Sequence, residues 1–328
     1  MKYVEVVADA GSSDTVAAIA EKVAAPDFRL GVVGEDQMQA MRLLVADDRV
    51  QETLDTLQNV LGAQPFARIL VLPVEVALPR PKVEKQKEEK KATTTREALY
   101  NDVEKNAQLN LTYIVLVMLS TIVAAIGLIE NNVAVVIGAM VIAPLLGPNL
   151  AFALGTALGD TALMQKSGLT TALGISIAIA LSVVLGFLWP FDVASPELMA
   201  RTNVGISSVV LALASGAAAS ISLTTGLSSV LVGVMVAVAL LPPAATFGLM
   251  LGHGNIDFAV GAGLLLAINV VCVNLASKLV FFFKGVRPRT WWEREKAKRA
   301  MVVFIVMWFV TLTVLVLSIY ARQAMINE

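Results

Sequence analysis

Seven apolar runs, each almost free of charge, constrain this chain more than anything else in it. They lie at roughly 111–129, 133–158, 168–188, 204–224, 228–253, 257–283 and 300–321. A helix rising about 1.5 Å per residue needs about 20 such residues to cross a hydrocarbon core about 30 Å thick, so the runs predict transmembrane helices. With 57% of residues hydrophobic and 16% charged, the chain is too apolar to be a soluble protein. Lys284, Arg287, Arg289, Arg294, Lys296, Lys298 and Arg299 crowd the loop at 284–299 and mark a cytoplasmic side, with Trp291 and Trp292 suited to the interface. Lys82 to Lys105 mark the same side. Six crossings from an N-inside start return the basic loop to that side, and the seventh, the extra helix at 300–321, then leaves Glu328 outside.

Residues 1–78 read as a soluble unit. A β-rich run at Tyr3, Val4, Val6 and Val7 precedes a helix from Ser13 to Ala24. A hairpin then turns at Gly34-Glu35-Asp36 between Phe28–Val33 and Met38–Val45. A helix from Val50 to Leu61 and a strand within Phe66–Val76 complete the order strand, helix, strand, strand, helix, strand. That order predicts a ferredoxin-like α+β domain, which fixes an architecture and no activity. Residues 1–10 carry Lys2, Glu5 and Asp9 in place of a signal-peptide core, so the domain is expected in the cytoplasm. A charged linker over 79–93 follows, then a juxtamembrane or amphipathic helix over 94–110 that Thr94 and Glu97 would open as a capping box.

The membrane part contains a repeat. Residues 111–188 align with 206–283 without a gap at a constant offset of 95, so that Gly138 falls on Gly233, Met140 on Met235, Leu145 and Leu146 on Leu240 and Leu241, Pro148 on Pro243, and Phe152 on Phe247. Shared Gly, Met and Pro in one register exceed what generic hydrophobicity produces. The first copy, at 111–188, and the second, at 204–283, hold three segments each, so full crossing makes them inverted. Each middle segment carries prolines halfway along, at Ala143-Pro144-Leu145-Leu146-Gly147-Pro148 and at Leu241-Pro242-Pro243. Proline removes a donor and clashes with the preceding turn, so both segments are expected to break, with Pro148 and Pro243 opening new half-helices. A substrate site is then expected near the bilayer midplane, at Pro144, Gly147, Pro148, Asn149, Pro242, Pro243 and Ala244. The re-entrant alternative, in which each middle segment is a hairpin, makes the repeat parallel and moves the loop from Asp160 to Ser167 outside.

Polar residues within the spans are few. Ser120, its repeat partner Ser215, and Asn269 are the candidate side-chain contacts, Asn269 because an amide in hydrocarbon needs partners. Asn274 is the other such amide, and Lys278, near a span end, is expected to snorkel to the headgroups. Glu130, Asp160 and Asp257 at segment ends are expected to be solvated. Small residues recur at Ala151, Gly155 and Gly159 and at Ala212, Gly216 and Ser220, a spacing that serves close helix packing and contacts with a second copy equally well. The single cysteine, Cys272, excludes a disulfide framework and a thiolate metal site. The single histidine, His253, falls in a loop, and no zinc-hydrolase or serine–histidine pattern exists, so neither an enzyme, a resident metal nor a cofactor is expected. Expected partners are membrane lipid, an unidentified small solute or ion and a second copy as homo-oligomer. A net charge of −1 speaks against nucleic acid.

In Gly138-Ala-Met-Val-Ile-Ala-Pro-Leu-Leu-Gly-Pro148, Leu154 to Asp160, Arg201-Thr202, Ala212-Leu-Ala-Ser-Gly-Ala217 and Val238-Ala-Leu-Leu-Pro-Pro243, the chain resembles the membrane proteins grouped as domain of unknown function 389. The resemblance covers about 100–285 and departs at Asn203-Val204, where the family often has proline. It implies a multi-pass protein of a prokaryotic inner membrane and supplies no substrate, cofactor or catalytic residue. The repeat and the paired prolines favour a secondary transporter or ion-translocating protein. A channel, or a sensor or scaffold signalling through the cytosolic domain, are the alternatives.

Overall fold

The computed structural model describes the backbone of residues 1–74, 96–226, 229–286 and 291–327, and the side chains of 1–74, 97–105, 107–226, 240–286 and 302–322. The chain divides into two compact units, Met1–Arg96 and Glu97–Glu328. The predicted linker at 79–93 and the Thr94 cap lie outside the described residues.

In the first unit, β1 (Lys2–Asp9), α1 (Ser13–Lys22), β2 (Asp27–Val33), β3 (Met38–Val45), α2 (Val50–Leu61) and β4 (Arg68–Pro73) follow in the expected order. The strands form one antiparallel sheet in the order β2-β3-β1-β4. Alternation sets its register: Val4, Val6 and Ala8 of β1 and Met41, Leu43 and Val45 of β3 bury one face. Val16 and Ile19 of α1, with Val50, Leu54, Leu57 and Leu61 of α2, close over that face as helical stripes.

The second unit is helical throughout, and it is a membrane domain. Among the described residues, five of its helices are long and apolar enough to cross a membrane, or six when one bent pair counts as a single span. Its elements are α3 (Arg96–Asn106), α4 (Leu111–Ile129), α5 (Val133–Ile142), α6 (Leu146–Leu158), α7 (Thr161–Leu188), α8 (Pro196–Met199), α9 (Ile206–Thr225), α10 (Ser229–Gly252), α11 (Ile256–Phe283) and α12 (Trp291–Asn327). Side chains placed at turns start several of them: Asn110 accepts from the Tyr113 N–H, Asn132 from Val135 and Asp160 from Leu163. Asp160 is thus a cap rather than a solvated end. It also accepts a 2.8 Å bond from the Tyr100 hydroxyl of α3, and burial followed by that bond pushes Tyr100 up to about 12. Leu99 and Val103 of α3, with Ala107 just past its end, bury in one cluster with Ala153 and Ala157 of α6 and Phe281 of α11, so α3 is packed into the unit as a separate helix. The backbone of 291–299, expected as loop, is helical and prolongs α12; its Glu, Lys, Arg and Ala are strong helix formers.

The 95-residue offset recurs in the fold. α7 and α11 match end for end, α4 falls on the first 19 positions of α9, and α5 with α6 fall on α10. Phe152 lies against Gly168, and their counterparts Phe247 and Gly263 repeat the contact. Gly159 and Gly254, again 95 apart, both take positive φ at the turn after the middle segment. Helix directions follow from the contacts. α6 runs back along α7, with Gly155 at Met164 and Phe152 at Gly168, but runs alongside α11, with Asn149 at Asn274 and Phe152 at Lys278. α7 and α11 therefore point in opposite directions. In the reciprocal crossing α10 runs alongside α7, with Gly248 at Ser182 and Gly252 at Val183 and Phe187.

The two middle segments differ from each other. In the first, Ala143 is extended before Pro144, as a residue preceding proline prefers, and α5 and α6 meet at 51°. Pro148 is the third residue of α6 rather than its first, since the helix already starts at Leu146. In the second, α10 stays helical through Pro242 and Pro243, so the expected break there is absent. Proline fixes φ near the helical value, and at this site packing outweighs the two lost donors. Leu240, Leu241, Ala244 and Ala245 are all fully buried, and just beyond them Gly248 and Gly252 press α10 on α7. No Ala143-Pro144 equivalent precedes the pair, because Val238 and Ala239 stand at those positions.

A Cβ on Gly186 would collide with the Leu249 carbonyl oxygen and lie 2.9 Å from its Cα, whereas one on Gly138 would meet nothing within 4 Å. Gly186→Ala is expected to destabilise the detergent-solubilised protein by about 1–3 kcal/mol, as overpacking does. Gly138→Ala should leave it unchanged or raise it by up to about 1 kcal/mol through helix propensity. Thermal melts of the two variants check the pair, and equal shifts would contradict the close crossing.

Candidate functional site

The two crossings related by the repeat have opposite chemistry. Between α7 and α10, Gly186, Gly248 and Gly252 bring backbones into contact, and Ile179, Val183 and Ala244 occupy the positions that Asn274, Lys278 and Asn149 hold in the other copy. Between α6 and α11 the seam is polar. Asn274 Nδ2 donates to Asn149 Oδ1 and, at 3.3 Å, to the Val270 carbonyl oxygen. Ser277 and Lys278 lie three and four residues further on, on the same side of α11. Asn149 stands in the first turn of α6, a helix that no side chain of its N-cap residue Leu145 caps.

Lys278 is fully buried and does not snorkel. Its Nζ sits 5.0 Å from the ring centre of Phe152, 5.4 Å from that of Phe304 and 4.8 Å from that of Trp308. Phe152 meets both α12 rings edge to face at 6.4 Å, so the three enclose the ammonium as a box. Among the described residues, five buried polar atoms along the seam have no hydrogen-bond partner: Asn149 Nδ2, Asn274 Oδ1, Ser277 Oγ, Lys278 Nζ and Trp308 Nε1. Native interiors leave few such atoms, and each costs about 1–3 kcal/mol. A concentration of this kind marks a place where folding stability has been given up for another purpose.

Of the residues singled out from sequence, Asn149 joins the seam, with Pro144, Gly147 and Pro148 at the bend beside it. Pro242, Pro243 and Ala244 are buried in the α10 helix, away from it. Asn269 is buried on α11 but turned about 140° around the helix from Asn274. Ser120 is buried and bonds back to the Val117 carbonyl at 3.0 Å, while Ser215 is half-buried on α9. Ser277 and the box of Phe152, Phe304 and Trp308 escaped the sequence reading. The available signal was Lys278 itself, four residues after Asn274 inside an apolar run. His253 is exposed, as expected of a loop residue, and lies 4.7 Å from the Phe191 ring. Among the described residues no group of three His, Cys, Asp or Glu could hold a metal ion.

A family model described as "Domain of unknown function (DUF389)" matches residues 140–275, a stretch holding Asn149, both proline sites and Asn274. An uncharacterised protein of Methanocaldococcus jannaschii is 34% identical over 270 residues, which is 81% of this chain and 84% of the relative. No solved structure matches.

Replacing Lys278 by Met keeps the apolar stem and removes an unmet buried ammonium. The variant is expected to be more stable than the parent by about 1–3 kcal/mol in detergent. A thermal melt decides it, and a lowered midpoint would mean that Nζ is balanced in the fold.

Proposed function

Because the chain belongs to the DUF389 family, whose description carries no activity, we propose its function from the site: it is a secondary transporter or ion-translocating protein whose substrate binds in the seam between α6 and α11. One observation carries this reading. Of two crossings related by the repeat, one is closed by glycine and aliphatic contact with Ser182 Oγ as its unmet atom, while the other gathers five unmet buried polar atoms, an amine among them, next to a helix bend. Polar and ionisable groups at membrane depth are expensive, and in transporters they gather at interrupted helices between repeats.

The opposed directions of α7 and α11 support the inverted form of the repeat, in which α4, the α5–α6 pair and α7 cross from one side and α9, α10 and α11 from the other. With α12 that makes seven crossings and places the N-terminal unit, read as a ferredoxin-like domain, in the cytoplasm of an inner-membrane protein. The first turn of α7 and the end of α11 share one buried cluster through Leu163 and Phe281, which fits this reading and not the re-entrant one. The seam then lies between the middle of the bilayer and its cytoplasmic face.

Two measurements test the proposal. Reconstituted protein should catalyse saturable solute flux, and Pro144→Ala with Pro148→Ala, which straightens the bend, should lower it at least about tenfold. Pro242→Ala with Pro243→Ala, within a helix that is already continuous, should change it far less; the reverse ranking would move the site to α10. For topology, a lone cysteine at exposed Gln165 in a Cys272→Ser background should resist an impermeant maleimide in intact cells and react once the cytoplasmic face is opened. Labelling from outside would remove the inverted repeat.

A further inference from the structure

The unmet groups of the seam are unequal in kind. Asn149 Nδ2, Lys278 Nζ and Trp308 Nε1 can only donate, Ser277 Oγ can donate or accept, and Asn274 Oδ1 alone can only accept. Turning both asparagine amides over exchanges their roles and leaves one NH2 and one C=O unmet, so the excess of donors does not depend on how the amides are assigned. Lys278 in its protonated form adds a positive charge. The three rings attract that charge through their quadrupoles, but they carry no negative charge with which to neutralise a buried ion. Rings alone cannot balance it, and they present no atom that accepts a proton in a normal hydrogen bond.

Resting on the transport reading above, we infer that the seam is an anion site, taking a small inorganic anion or carboxylate that Lys278, Asn149, Ser277 and Trp308 bind through its oxygen or halide acceptors. The ligand charge neutralises the ammonium, its acceptors fill the donors, and Asn274 keeps Asn149 facing it by holding the other end of the amide. The first turn of α6 contributes in the same direction, because the N-terminal end of a helix favours negative charge. Nothing in the reciprocal crossing duplicates this: Val183, Ala244 and Ile179 cannot bind an anion, and Ser182 stands there as the sole counterpart of a seam donor. The site therefore exists once per chain.

Trp308 and Phe304 come from α12, which is not part of the repeat, so two walls of the box are supplied by the helix that follows it. The ligand must accordingly be small. Phe152, Phe304 and Trp308 surround Nζ closely enough that a bulky organic anion could reach it only by displacing rings.

The test uses full-length protein and two variants. Lys278→Met removes the charge, and Asn149→Asp places a carboxylate in the seam with little change of shape, giving the ammonium an internal counter-ion. Thermal shift in detergent is measured with the sodium salts of chloride, nitrate, acetate and phosphate against gluconate at constant sodium. Tracer exchange is measured in proteoliposomes with radiolabelled chloride, acetate and phosphate, and with labelled sodium and rubidium. Exchange of tracer reports transport whether or not the cycle moves net charge.

At least one anion is expected to raise the melting midpoint of the parent and to exchange saturably. Both effects should fall at least about tenfold in either variant, while each variant keeps a cooperative melt. An anion that stabilises the parent but does not exchange would uphold the site and sink the transport reading. Exchange of sodium or rubidium alone would uphold transport and overturn the anion class. Anion exchange or stabilisation that survives both substitutions would overturn the seam as its site, and absence of any anion effect in the parent would overturn the inference outright.

Discussion

In hydrocarbon a backbone N–H or C=O has no water to turn to, and everything in the larger unit follows from that. Helices meet the demand within themselves, which is why the membrane unit contains no strand among its described residues. Where a helix stops, a side chain takes over, as Asn110, Asn132 and Asp160 do at the starts of α4, α5 and α7. Against that background the seam between α6 and α11 stands out, since five of the eight buried polar atoms left without partners among the described residues gather there. The same demand explains why α10 remains helical through two prolines. Once small residues have brought α7 and α10 into backbone contact, opening the helix would expose further groups and undo that contact.

Much of this architecture was legible in the sequence because it depends on local pattern. Alternation in Val4, Val6 and Ala8, helical spacing in Leu54, Leu57 and Leu61, and unbroken apolar runs each reflect one period that does not change on folding. The repeat was legible for the same reason, and the α7 and α11 boundaries reproduce its offset to the residue. Proline was read correctly where local sterics decide, at Ala143-Pro144, and wrongly at Pro242-Pro243, where packing against α7 decides. Lys278 is the clearest case of what pattern cannot supply. Five residues before the end of α11, it looks like a side chain that reaches for water, yet Phe304 and Trp308, from the next helix, close over it.

Comparing the two copies of the repeat at matching positions separates scaffold from chemistry without any alignment of relatives. Phe152 with Gly168 and Phe247 with Gly263, and the left-handed turns at Gly159 and Gly254, are common to both and serve the frame. Asn149 against Ala244, Asn274 against Ile179 and Lys278 against Val183 are where the copies part, and all three differences fall in the same seam. The frame has been kept twice and the polar groups once.

The position of α12 outside the duplication has a consequence for how such a frame can face two compartments. The copies match in their frame, so what distinguishes its two ends comes from the positions where they part and from the helix that has no counterpart. α12 runs antiparallel to α11, its Phe304 and Trp308 beside Lys278 near one end of that helix and its Arg322 donating to the Asp257 and Thr202 carbonyl oxygens near the other. It thereby gives one end of the frame an aromatic cover and the other a cationic clasp. A single unmatched helix thus gives a frame of matching parts two unlike ends.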